Sequence, residues 1–441
     1  MADGSEPRPL DIAIVGAGWA GLAAAVEATL AGAHVTLFEM APAAGGRARD
    51  VAWHGRILDN GSHICIGAYV ETLRLLRTVG VEEAAAFDRR PLTLVDCAGR
   101  GLRMRPGPPI RSFALAVLGR RGWSLRERVA LLGIAARWRR SGFRCAPDET
   151  VAALTASLPT AVRAGFIEPL CVAALNTPAA EASGSVFLRV LQTALAGSAG
   201  GADMLLPRLG LGQVLPAPAL TWLERAGATI RLAHRVDRLE RVGSSWQVDG
   251  ERTDAVVVAA SAVETARLVG RHSHEWAARA LALRYEPIAT VYALGASCRL
   301  PEPLIALRSD ATRPAQFVFD LGQLGREPGL LAFVISGAAA WVERGSPATE
   351  AATLAQASEQ LAGVLRGPLD TVGTIVEKRA TFACVPRLAR PPMAVAPGLL
   401  ACGDYIDGPF PATLEGAVRS GVAAARALAP RSGENPARGT G

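Results

Sequence analysis

The feature that most constrains this chain is an apolar run that ends in three spaced glycines. Residues 10–15 read as a buried strand, and Gly16-Ala17-Gly18-Trp19-Ala20-Gly21 follows at once. Residues 22–31 are alanine-rich and read as a helix, and residues 34–38 read as a second strand ending at Glu39. That order predicts a βαβ unit of a parallel sheet. Gly16 allows the tight turn, Gly18 lets backbone approach a pyrophosphate, and Gly21 lets the helix lie close to the sheet. The helix N-terminus offers N–H donors and a positive dipole end to phosphates. Glu39, 18 residues beyond Gly21, is placed to accept hydrogen bonds from a ribose 2′-hydroxyl and to disfavour a 2′-phosphate. In this context the pattern predicts dinucleotide binding.

Three further segments refine that expectation. Ala44-Gly45-Gly46-Arg47 follows Glu39 directly and supplies a second close-approach loop, with a guanidinium for the pyrophosphate. Simple NAD domains do not usually carry it, so Gly46 and Arg47 point to FAD. Standing alone it would read as an ordinary surface turn. In Asp59-Asn60-Gly61-Ser62-His63, Gly61 suggests backbone packed against a ring. His63 is then either a group near flavin or substrate, or a hydrogen-bonded structural histidine. In Leu399-Leu400-Ala401-Cys402-Gly403-Asp404-Tyr405 an apolar strand delivers Gly403 and Asp404, whose carboxylate suits ribitol hydroxyls. Residues 412–418, with Gly416 and Ala417, open a helix whose N-terminus can face the flavin N1/O2 edge.

Composition bounds the rest. At 441 residues, half apolar and a fifth charged, the chain is globular and long enough for two domains. Its formal charge is +7. No zinc knuckle, basic tail or aromatic stacking motif supports nucleic acid as a partner. The charge fits a face toward anionic lipid headgroups, or a merely basic soluble enzyme. The cysteines, at 65, 97, 145, 171, 298, 384 and 402, lack Cys-x-x-Cys spacing, so a reducing compartment and no metal are expected. His272-Ser273-His274 has metal-like spacing without an accompanying acid or cysteine cluster and reads as a solvated pair. Residues 1–9 do not read as a secretory signal, and no apolar run of about 18 residues reads as a membrane span.

The organisation is interleaved. Residues 10–80, 201–270 and 378–430 have dinucleotide-fold character and are expected to form one discontinuous FAD-binding domain. Residues 81–200, mostly helical, and 271–377, sheet plus helix, are expected to form a substrate domain. Residues 431–441 read as a frayed tail. The expected class is α/β, a Rossmann-type FAD-binding domain with an α+β substrate domain. Strands are expected at 229–232, 235–242, 254–260, 289–295 and 316–321, and helices at 213–226 and 350–366. Ser124 and Glu127 make a capping box for a helix over 124–140. Leu125, Val129, Leu132 and Ala136 line one face of it, with Arg126, Arg128, Arg137 and Arg139 off that face. The ordinary reading is a solvated helix over a domain core; a membrane-surface helix is the other.

In order and spacing, these motifs resemble the flavin amine oxidase/phytoene desaturase superfamily. Within it the chain is similar to the hydroxysqualene dehydroxylase branch, the squalene-associated FAD-dependent desaturases. That likeness rests on residues 60–69, on Leu175-Asn176-Thr177-Pro178 with Ala182-Ser183, on Lys378-Arg379-Ala380-Thr381-Phe382, and on 403–405 and 408–418. Ser62 departs from the glutamine expected there. The resemblance covers nearly the whole chain and is specific at 11–67 and 399–427. It implies non-covalent FAD held by Gly16, Gly18, Gly21, Glu39, Gly46, Arg47, Gly403, Asp404 and Gly416, with the Val236 amide at the adenine. It implies reduction of hydroxysqualene to squalene in bacterial hopanoid synthesis, with reduced flavin as the hydride source. An allylic hydroxyl leaves only when protonated, so an acid within reach is needed, and His63 or Asp407 is the candidate, His63 preferred. Cytoplasmic location, peripheral on the inner face of the membrane, follows from a lipid substrate, with neighbouring squalene-pathway enzymes as candidate partners. Rival readings are a carotenoid desaturase, an amine oxidase and a flavin-fold scaffold without turnover. Amine oxidases usually place a lysine near flavin N5 on a strand like residues 287–294, which has none here.

Overall fold

Short β-branched runs alternating with alanine-rich helices build a six-stranded sheet in the computed structural model, which describes residues 8–296 and 298–428. Its order is Thr229–Arg231, His34–Phe38, Asp11–Val15, Ala255–Val258, Leu399–Ala401 and Ala394–Ala396. Successive pairs are parallel except the last. The strand Asp11–Val15 has the next strand in sequence, His34–Phe38, on one side and Ala255–Val258 on the other. Strand order therefore reverses beside it, and in such sheets the crevice at the strand C-termini is where ligands sit. The helix Trp19–Leu30 follows, buried on nearly every side because its alanines let other elements come close. It packs against the C-terminal helix Leu414–Leu428.

A second, antiparallel sheet has the order Leu304–Ala306, Phe317–Asp320, Leu330–Ser336, Tyr285–Leu294 and Asp370–Phe382. Its long last strand brings residues 377–382 back to the first sheet. Between residues 109 and 196 the chain is mainly helical, with Pro109–Gly119, Leu125–Arg140, Glu168–Leu175 and Gly184–Ala196 around a core of Phe113, Trp138, Phe166 and Phe187.

Several expectations meet a local correction. The helix expected over 213–226 is broken into Leu211–Val214 and Pro216–Arg225, because Pro216 has no N–H to continue it. The strand expected over 235–242 is confined to Leu239–Val242. Residues 237 and 238 instead donate their N–H groups to the Asp249 carboxylate. The mostly helical block from 81 also holds the strands Phe87–Arg90, Thr93–Val95 and Gly101–Arg103. The capping box of Ser124 and Glu127 is present. The face it introduces is reversed: Leu131, Ile134 and Trp138 are buried, while Leu125 and Val129 are 70% and 57% exposed. His272 is not a solvated histidine, since Nε2 meets the Leu239 carbonyl at 3.0 Å and the ring stands edge-on to Trp246. No described helix is long and apolar enough to cross a membrane. The expected tail, 431–441, lies outside the described residues.

Candidate active site

The site forms where the two sheets meet. At the end of the first strand, Gly16 has φ +109, and a Cβ there would lie 2.7 Å from the Ala259 carbonyl oxygen. A Cβ on Gly21 would lie 1.8 Å from the Gly16 oxygen. Both positions need glycine, for the turn and for helix–turn contact. Gly18 differs: a Cβ there would meet nothing nearer than Gly46 Cα, at 3.9 Å. Beside it runs the Gly45-Gly46 loop, bridged to Gly18 and tied by Gly45 N–H to the Ala17 oxygen at 2.8 Å. The two glycine loops thus pack backbone to backbone, with a Cβ on Gly46 only 3.2 Å from Gly18 Cα, so neither position beside the contact has room for a large side chain.

Beside the first of these loops Glu39 is buried. Its Oε2 accepts the Ala17 N–H at 2.7 Å and its Oε1 the Ala41 N–H at 2.8 Å. Those bonds fix the carboxylate and leave each oxygen a further lone pair for a ribose hydroxyl. Val236 is buried as well, and its carbonyl accepts from Arg267 Nη2 at 2.7 Å.

Beyond the second loop Arg47 pairs with the buried Asp404 carboxylate and donates to the Ala380 carbonyl at 2.7 Å. Burial works against the Arg47 charge, but Asp404, helped by Tyr285 and Glu377, more than offsets it, and the guanidinium pKa rises above its usual value. Asn60 bridges the Arg47 carbonyl, at 3.0 Å, to Glu377, at 2.9 Å. Gly403 donates its N–H to Ser420 Oγ of the C-terminal helix at 2.8 Å. At the start of that helix, Gly416 N–H goes to Thr413 Oγ1 at 3.0 Å and Ala417 N–H to the Thr413 carbonyl at 3.0 Å. Leu414 and Glu415 therefore carry the first-turn amides that point out of the helix.

His63 is part-buried, with Nδ1 2.8 Å from the Gly61 carbonyl. A carbonyl only accepts, so Nδ1 carries the proton and Nε2 is left as an acceptor in the neutral ring. Burial, and secondarily the charge of Arg47, hold the imidazole pKa below its ordinary value, against a raising effect of the Gly61 carbonyl. A Cβ on Gly61 would lie 3.9 Å from Thr290 Oγ1 and 4.0 Å from His63 Cε1, so the three residues share one small space. Thr290 is 1% exposed, and its hydroxyl has no hydrogen-bond partner among the described residues. Asp407 is apart from this group: it is exposed, pairs with Arg390 at 3.1 Å, and donates its N–H to the Pro391 carbonyl. Burial, with Glu415, pushes the Cys65 thiol up to about 12, so it stays protonated and unreactive.

Sequence reasoning missed Thr290 and Tyr285. Both lie on the strand Tyr285–Leu294. The available signal was a hydroxyl inside an otherwise apolar run. Tyr285 stands among Arg47, Asp404 and Arg379, and its phenol is raised to about 12 by burial first and then by Asp404. The segments 175–183 and 378–384, far apart in sequence, meet here. Asn176, in the left-handed region at φ 46, donates to Thr381 Oγ1 at 2.9 Å and accepts from Gly337 N–H at 2.7 Å. Thr177 Oγ1 accepts from Cys384 N–H at 3.2 Å, and Ser183 N–H reaches the Cys384 carbonyl at 2.7 Å.

Comparison with known proteins agrees with this architecture. The chain is 27% identical to a hydroxysqualene dehydroxylase of Sinorhizobium fredii, over 95% of this chain and 98% of that one. It is 28% identical to a hydroxysqualene dehydroxylase of Rhodopseudomonas palustris, over 93% and 96%. Among solved structures, an oxidoreductase from Methanosarcina mazei superposes with a TM-score of 0.68 at 16% identity, over 94% of this chain and 99% of that one. The model of the flavin containing amine oxidoreductases matches residues 19–429. The paired glycine loops, the fixed Glu39 carboxylate and the Arg47–Asp404 pair fit a dinucleotide flavin. The chain belongs to the flavin containing amine oxidoreductase family and is an FAD-dependent oxidoreductase.

Proposed function

We propose that this enzyme reductively dehydroxylates hydroxysqualene to squalene in hopanoid synthesis, working peripherally at the inner face of the bacterial membrane. The observation that carries the reading is the end-to-end similarity to two hydroxysqualene dehydroxylases, over more than nine-tenths of each chain. In this reading Gly16, Gly18, Gly21 and Gly46 line the pyrophosphate path, Glu39 takes the adenosine ribose, and Val236 lies at the adenine. Arg47, Gly403 and Asp404 hold the ribitol and phosphate end. Gly61, Gly416 and Ala417 border the ring. Reduced flavin, when bound, supplies the hydride.

The chain's own part is to protonate the leaving hydroxyl and to keep water away. Loss of the protonated hydroxyl as water leaves a delocalised allylic cation, and the two electrons of the hydride restore a neutral hydrocarbon. His63 is the proposed donor, with Asp407 the second candidate. Thr290 beside His63 is placed to hold the departing oxygen. Lys378, the only lysine, is exposed on the strand Asp370–Phe382, so the strand carrying Thr290 offers no lysine for amine-oxidase chemistry.

The test is anaerobic incubation of photoreduced holoenzyme with hydroxysqualene and mass spectrometry of the extracted hydrocarbon. Squalene is expected from the wild type and not from Gly18→Val, whose side chain stands against Gly46 where the glycine loops meet. Unchanged hydroxysqualene with a flavin-loaded protein would overturn the reading; coloured polyene from phytoene would replace it with a desaturase.

A further inference from the structure

Two consecutive helices, Pro109–Gly119 and Leu125–Arg140, each carry large apolar side chains that the fold leaves exposed. Leu115, Leu118, Leu125 and Val129 are 59%, 45%, 70% and 57% exposed. They are four of the twelve large exposed hydrophobic residues among those described, and they fall within fifteen consecutive positions. On the second helix Leu125, Val129, Gly133 and Ala136 follow each other at helical spacing, and all four are exposed. A surface helix normally turns such a stripe inward. Here the inward side is already filled by Leu131, Ile134 and Trp138.

The charge around this ridge is one-sided. From Met104 to Pro147 there are ten arginines and one acid, Glu127, whereas the whole chain carries +7. The excess positive charge of the molecule therefore lies in this tenth of its length, and the remainder is slightly acidic. Glu127 is committed to capping Ser124. Arg111, Arg121, Arg126, Arg137, Arg139 and Arg140 are all exposed, and none takes part in an ion pair among the described residues. Directly beneath the hairpin lies an apolar cavity of about 480 Å³, walled by Phe113, Leu132, Phe166 and Phe187, with Arg139 and Arg140 at its edge.

We propose that this hairpin docks on an anionic phospholipid bilayer, the leucine and valine ridge entering the acyl boundary and the arginines lying at the phosphates. The cavity then opens at the membrane side as the place where an isoprenoid leaves the bilayer. The cavity's role rests on the function proposed above; the docking does not. An aliphatic ridge rimmed by arginine is the pattern of an interfacial helix. Self-association is disfavoured, because a two-fold contact would set arginine against arginine. Nucleic acid is disfavoured, because the centre of the face is aliphatic and offers no aromatic stacking platform.

The test is co-sedimentation of holoenzyme with vesicles of phosphatidylcholine containing about 30 mol% phosphatidylglycerol, at low salt and at roughly 0.5 M salt, where charge is screened. Binding is expected to anionic vesicles, and at least about tenfold more weakly to pure phosphatidylcholine or at high salt. Leu125→Asp with Val129→Asp, and separately Arg121→Glu with Arg126→Glu, are each expected to weaken it at least about tenfold. Flavin absorbance and melting temperature report that each variant is folded. The proposal is overturned if both variant pairs bind as the wild type does, or if anionic vesicles are not bound. It is equally overturned if the substitutions instead dissolve a dimer, or if duplex DNA competes the protein off the vesicles. With detergent-dispersed substrate, the Leu125→Asp/Val129→Asp protein is expected to keep its turnover. Vesicle binding without any squalene would sink the function and leave the docking surface standing.

Discussion

At the scale of single residues, the proposed reaction gives His63 the proton to deliver and Thr290 the departing oxygen to hold. With Nδ1–H given to the Gly61 carbonyl and burial holding the pKa below its ordinary value, His63 must take up a proton at Nε2 before it can deliver one. The sign follows: the protonated fraction rises as pH falls, so single-turnover reduction of hydroxysqualene is expected to accelerate on acidification through that depressed pKa. His63→Ala should remove this limb and slow the step by roughly 10²–10⁴-fold. A pH profile unchanged in His63→Ala would move the assignment to Asp407. Thr290→Val tests the partner. Its buried hydroxyl has no partner among the described residues, and such a group costs about 1–3 kcal/mol. The valine protein should therefore melt no lower than the wild type while turning over more slowly. Equal turnover would show that the hydroxyl holds nothing in the reaction.

At the scale of elements, one carboxylate joins two helices. Glu415, fully buried, accepts the N–H groups of Glu71 and Thr72 at 3.1 and 2.9 Å and the Thr72 hydroxyl at 2.7 Å, and pairs with Arg419 at 2.6 Å. It thus caps the helix Val70–Thr78 from the C-terminal helix. Glu415→Ala leaves two amides and a guanidinium without their partner and should cost about 2–4 kcal/mol, read as a lower urea midpoint. A midpoint unchanged from wild type would refute the cap. The pair shows what was legible in the chain and what was not. The helix opened by residues 412–418 could be read from its spacing, but the partner of Glu415 could not, since it lies more than 340 residues away. The same limit reversed the face of Leu125–Arg140. Its start was readable from Ser124 and Glu127, a contact of neighbours. Its orientation was not, because both Leu125/Val129 and Leu131/Ile134/Trp138 are apolar sets at helical spacing, and only tertiary packing chooses between them. Likewise the glycine loops could be read because their residues are local, whereas Thr290 becomes part of the site only when its strand passes Gly61.

At the scale of the whole molecule, buried hydrogen bonds tie the helical region to the Arg47–Asp404 pair. Asn176 ends the helix Glu168–Leu175, whose Leu170 also lines the apolar cavity. Its amide grips Thr381 Oγ1 at 2.9 Å and the Glu286 carbonyl at 3.3 Å, and its oxygen accepts Gly337 N–H at 2.7 Å. One residue before Thr381, the Ala380 carbonyl receives Arg47, which in turn pairs with Asp404. A continuous set of contacts therefore runs from the cavity wall to the Arg47–Asp404 pair. Asn176→Gly keeps access to the left-handed backbone but deletes the side chain, so it isolates the hydrogen bonds from the conformation. It is expected to cost about 2–3 kcal/mol of stability. Because Ala380 loses its anchor, the variant should also retain less FAD per folded protein after gel filtration, and Asn176→Asp should fall between it and the wild type. If Asn176→Gly melted earlier yet kept a full complement of flavin, the junction would hold the two sheets together without tuning the cofactor site. Loss of flavin in step with the hydrogen bonds would instead make the 175–178 segment a positioning element for Arg47, which explains why so polar a motif is buried between two apolar cores.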